Sequence, residues 1–126
     1  MYEGAESRIA NIQYTVRIND VDDRVTIRHA IVAEAIHLNG PPGHAQVVDP
    51  SEIGGCDILE LDCEGAETEI IPELSSYPKT LIVETHRNES AVRDQLTAAG
   101  YEVTNRGVEK KGEIYVLTAV LDSRPG

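Results

Sequence analysis

Phenylalanine and tryptophan are absent from this 126-residue chain, methionine occurs once, and five tyrosines are its whole aromatic content. A core must therefore be assembled from Ile, Leu, Val, Ala and some of the Tyr. So thin an aromatic supply leaves no platform on which nucleobases could stack. Basic residues are scarce as well: eleven Lys and Arg face twenty-two Asp and Glu, for a net charge of −11, and the only lysines are Lys79, Lys110 and Lys111. Nucleic acid and anionic membrane are excluded as partners by this balance. No apolar run approaches the roughly 20 residues of a membrane span. Residues 1–20 carry neither the basic start nor the apolar middle of a leader. The expectation is a soluble cytoplasmic protein forming a single domain, 1–126, with no room for a second.

Cysteine is nearly missing too. Cys56 and Cys63 stand seven residues apart at either end of an expected strand, which separates them by roughly 20 Å at about 3.3 Å per residue. A disulfide needs Cα atoms about 4.4–6.8 Å apart, so the two are expected as reduced thiols. The acidic excess carries a cost in self-repulsion that concentrated salt screens. That reads as a halophilic adaptation, with an ordinary acidic domain as the alternative.

What is present has the alternation of an α/β domain. Residues 5–19 set Ile9, Ile12 and Val16 at helical spacing, with Asn19 and Asp20 as a stop. VTIRHAIV at 25–32 reads as a strand entering a core. Residues 33–55 are loop chemistry, including Gly40, Pro41, Pro42 and Gly43, with at most a short strand at Gln46, Val47 and Val48. DILELD at 57–62 is a strand, and EGAETEII continues as a helix that Pro72 ends. TLIVET at 80–85 has the apolar run of a buried parallel strand. Asn88 is placed to cap a helix that Gly100 closes. YEVTNR at 101–106 and EIYVLTAVL at 113–121 form an antiparallel hairpin. This order predicts a mostly parallel sheet with helices on its faces and a ligand crevice beyond the strand ends, at Val32, Asp62 and Glu84 to His86.

The segment CDILELDCEGAETEIIPEL, followed by TLIVETH and then AAGYEV, resembles the core signature of the FkbM-type methyltransferases. The matching residues are Asp62, Glu64, Gly65, Ala66, Glu67, Glu84, His86, Gly100 and Tyr101, and the likeness is most specific over 57–67 and 80–86. The resemblance implies a Rossmann-like fold, S-adenosylmethionine as cofactor, and methylation of a hydroxyl on a small molecule or glycan. It makes Asp62 and Glu64 cofactor contacts, and Glu3, in a stretch similar to the family's second strand end, the acid that holds the ribose. Two departures stand out. Glu60 replaces a lysine usual in the family, and the family's first strand and Gly-rich turn should lie before Glu3. Without that turn, this chain is expected to bind the cofactor weakly or not at all. A degenerate binding or assembly module is therefore the competing expectation. The strand at 57–62 would also keep an unpaired edge, closed by the 25–32 strand, by a second copy as a homo-oligomer, or by further chain.

Each candidate residue also has a plainer reading. Asp62, Glu64 and Glu67 crowd a helix start, where the macrodipole favours carboxylates and Asp62 could cap. His86 is the candidate general base, oriented by Glu84 or Asp62, and reads equally as an exposed loop histidine. These three form the expected catalytic set. No spacing enforces a metal site from Asp62, Glu84 and His86, and none is expected. His29, His37 and His44 are too scattered to form a cluster.

Overall fold

The computed structural model describes residues 1–33 and 45–122; His37, His44 and the segment from Gly40 to Gly43 lie outside the described residues. The chain divides into two compact units, Met1–Val48 and Asp49–Gly126. It is an α/β protein with parallel and antiparallel strands. No helix among the described residues is long and apolar enough to cross a membrane.

In the first unit, strand β1 (Tyr2–Glu3), helix α1 (Glu6–Ile18), strand β2 (Arg28–Val32) and strand β3 (Gln46–Val48) build a parallel sheet ordered β1-β2-β3. Helix α1 follows its expected spacing: Ile9, Ile12 and Val16 are half-buried while most of their neighbours are exposed. Glu6 in its first turn and Arg17 in its last complement the macrodipole. Asn19 closes it, donating from both its backbone and its side chain to the Thr15 carbonyl. The strand expected at 25–32 begins only at Arg28, where pairing with β1 starts. Strand β1 falls where the resemblance implied a strand end before a helix; its two residues carry no periodicity of their own and are a strand through their pairing with β2.

The second unit opens with a 3₁₀ turn, Pro50–Glu52, held by a capping box between Asp49 and Glu52. Strand β4 (Ile58–Leu61), helix α2 (Glu67–Ile70) with a 3₁₀ turn (Ile71–Glu73), strand β5 (Thr80–His86), helix α3 (Glu89–Ala98), strand β6 (Tyr101–Lys110) and strand β7 (Ile114–Leu121) follow. The sheet order is β4-β5-β7-β6, with β4 parallel to β5 and the other neighbours antiparallel. The helix expected from EGAETEII is a single turn. Glu64 and Gly65 have positive φ and lie outside it, and Pro72 removes an N–H at its end.

Strand β5 alternates strictly. Leu81, Val83 and Thr85 are buried, whereas Thr80, Ile82, Glu84 and His86 are half-buried. Opposite Leu81 and Val83 stand Ala119 and Leu117 of β7, also fully buried, and α3 contributes Val92 and Leu96. Leu81, Val83, Val92, Leu96, Leu117 and Ala119 are sealed from solvent, and burying each of the larger aliphatic side chains contributes about 1.5–3 kcal/mol. The apolar run at 80–85 reads as a buried parallel strand; β5 is parallel to β4, has antiparallel β7 on its other side, and is sealed on one face and half-buried on the other. Strand β2 has β1 on one side and β3 on the other. Among the described residues β4 pairs with β5 alone, and Ile58 on it is exposed.

Candidate active site at the carboxyl ends of two parallel strands

Because β4 and β5 run parallel, the residues that follow β4 and those that end β5 meet at one rim of the sheet. After Leu61 the backbone turns through Glu64 at φ 52° and Gly65 at φ 106°, the latter a conformation that a Cβ would strain. The turn brings Glu67 back beneath its own entry. The Glu67 carboxylate, wholly buried, accepts the backbone N–H groups of Cys63 at 3.0 Å and Gly65 at 3.3 Å. It also accepts His86 Nδ1–H at 3.0 Å, while its other oxygen accepts Asn88 Nδ2–H at 3.0 Å. Four donors make the burial of an ionised carboxylate tolerable.

Donation from Nδ1 fixes the ring, and a neutral His86 then carries its lone pair on Nε2. Nε2 faces Asp62 Oδ1 at 3.4 Å and Glu64 Oε2 at 3.6 Å. The ring is 14% exposed, Glu64 35% and Asp62 53%, so the cluster is sealed at its Glu67 end and open at its Asp62 end. Burial alone would lower the His86 pKa; the carboxylates of Glu67, Glu64 and Asp62 outweigh it and hold the value above 6.5. Two residues back on the same face, Glu84 is pushed up to about 7 by desolvation and then by Asp62 and Glu109, both within hydrogen-bonding reach. The Cys63 thiol is pushed up to about 12 by burial and the neighbouring acids, which leaves it unreactive.

The structure thus brings Asp62, Glu64 and His86 together, with their ligand atoms all within 4.8 Å of one another. The metal-capable trio is therefore Asp62, Glu64 and His86, not the set containing Glu84. It also corrects the expected orientation of His86. Neither Glu84 nor Asp62 holds Nδ1; Glu67 does, because the turn after β4 aims Glu67 inward and strand alternation leaves Glu84 facing Asp62 and Glu109. Asn88 does not cap α3 through its side chain: Oδ1 accepts the His86 N–H at 2.9 Å and Nδ2 serves Glu67. Glu3 belongs to the first unit, where its carboxylate accepts the Ala5 N–H at 2.8 Å. In that unit half-buried His29 has Nε2 3.2 Å from the Gly4 carbonyl.

Sequence reasoning missed Glu67 as the pivot, along with Asn88 and Glu109. The available signal was Gly65 two residues before Glu67, since a glycine turn can fold an acid back onto the preceding backbone. Nothing in the sequence pointed to Glu109, which reaches Glu84 only through the stacking order of β5, β7 and β6. Comparison with protein-family models, curated proteins and solved structures finds no match.

Proposed function

We propose that this chain is an S-adenosylmethionine-dependent methyltransferase-type domain with a Rossmann-like plan, acting on a hydroxyl of a small molecule or glycan. The observation that carries this reading is the His86 ring at a parallel strand end, pinned through Nδ1 by buried Glu67 and presenting Nε2 to the open side. The cofactor would supply an electrophilic methyl group. Its sulfonium, ammonium and ribose hydroxyls are cationic or donating, and the acceptor-only carboxylates of Asp62 and Glu64 complement them.

His86 takes the acceptor's hydroxyl proton on Nε2, and Glu67 steadies the resulting imidazolium from the Nδ1 side. The acceptor oxygen is thereby made nucleophilic at a fixed position, which is the main requirement of an in-line transfer. Radiolabelled methyl transfer to a panel of hydroxylated small molecules and glycans in concentrated KCl tests this, with His86→Gln as the comparison. Label incorporation lost by about 100-fold or more in the variant is the expected result. Incorporation indifferent to His86 would refute the role assigned to it.

The edge of β4 that has no strand partner among the described residues, with exposed Ile58, favours a second reading: a non-catalytic module that keeps the fold and assembles through that edge. Sedimentation separates the two. A dimer broken by Ile58→Lys, together with no cofactor binding by calorimetry, supports the module; a monomer at micromolar concentration speaks against edge pairing.

A further inference from the structure

His86 Nε2 lies 3.4 and 3.6 Å from the oxygens of Asp62 and Glu64, beyond the length of a good N–H···O bond. Those separations have another meaning. Ligands about 2.0–2.2 Å from a zinc ion at tetrahedral angles stand about 3.3–3.6 Å apart. We propose that Asp62, Glu64 and His86 Nε2 form a binding site for a divalent transition-metal ion of the zinc class.

Beyond the spacing, the imidazole is prepared as ligating histidines are. Its far nitrogen donates to a carboxylate, Glu67, which is wholly buried and itself fixed by two backbone N–H groups and Asn88. Such a carboxylate sets the tautomer, aims the free nitrogen and raises its basicity. One imidazole with two carboxylates selects a borderline ion over magnesium, which prefers an all-oxygen shell. Three protein donors leave a fourth position, on the open Asp62 side, for water or a ligand oxygen. Ligand and base are exclusive roles for Nε2. On the methyl-transfer reading, and only there, a bound ion would block His86 from taking a proton.

The inference stands on the donor set and does not need methyl transfer. Its test uses the whole chain with Cys56→Ser, so that the exposed thiol cannot take the ion, titrated calorimetrically with Zn²⁺ in KCl without cofactor or acceptor. The expected result is one ion per chain at micromolar affinity. Asp62→Asn and Glu64→Gln, both at least partly exposed, should each weaken it at least tenfold, as should Glu67→Gln, within the roughly 10–100-fold range for outer partners. Nitrogen-15 spectra should show His86 Nε2, not Nδ1, shifting with the ion. Binding unchanged in Asp62→Asn and Glu64→Gln, an unmoved Nε2 resonance, or no heat at millimolar zinc would overturn the proposal. Any of these would leave the methyl-transfer reading to its own assay.

Discussion

Glu67 Oε1 and His86 Nδ1 lie 3.0 Å apart, the carboxylate wholly buried and the ring nearly so, and this contact ties the turn after β4 to the end of β5. Two different costs follow from removing it. Glu67→Ala strands two backbone N–H groups, Asn88 and His86 with no acceptor, and should destabilise the chain by about 3–5 kcal/mol. Glu67→Gln keeps one acceptor oxygen and should cost less, about 1–3 kcal/mol. Urea unfolding at fixed KCl gives both values. An alanine variant within about 0.5 kcal/mol of wild type would mean that Glu67 behaves as a surface residue.

The pH dependence of stability is set by groups that hold protons more tightly folded than unfolded. For His86, raised above 6.5, the stabilisation is complete below 6.5 and is lost as pH climbs through the higher folded value. Glu84 is an acid raised from 4.5 to about 7, so between those values the folded state binds the extra proton and stability falls as pH rises. Both slopes therefore run the same way, downward from about pH 4.5 upward through neutrality. Glu84→Gln should flatten the lower part of the fall and Glu67→Gln should bring the His86 titration, followed by NMR, to lower pH. A stability curve that rises between pH 5 and 7 would contradict the cluster as described.

The two thiols should react at very different rates. Cys56 is exposed, whereas the Cys63 thiol is half-buried and pushed up to about 12. An Ellman titration of the native chain should give one fast equivalent, with the second appearing on unfolding. Two equally fast thiols would show that the turn after β4 opens freely.

Salt should stabilise the fold. A charge of −11 and a rim where Asp62, Glu64 and Glu67 surround a single imidazole, with Glu84 and Glu109 close to Asp62 or to each other, leave strong repulsion to screen. Near 1 M salt the Debye length is about 3 Å, and thermal melting should move upward by several degrees between low-salt buffer and concentrated KCl. No rise would remove the case for a saline interior.

Helix α1, strands β4 to β7 and helix α3 were legible because each keeps one periodicity over enough residues, and Gly100 marks the end of α3; three-residue β3 could be read only as at most a short strand. The gathering of Asp62 and His86 was legible as well, since both follow from two strands running parallel. Helix α2 was overread, because local helical spacing in EGAETEII says nothing of the positive φ values at Glu64 and Gly65.

The acidic charge, the aliphatic core, the thiols too far apart along the strand to pair and the α/β alternation belong to the sequence alone, since composition and short-range periodicity determine them. Which acid is buried beneath His86 and which stay in solvent was decided only in three dimensions. Asp62, Glu64 and Glu67 are chemically near-equal along the chain. A glycine turn and the pairing of β4 with β5 give just one of them four buried donors, and that difference in solvation sets their roles.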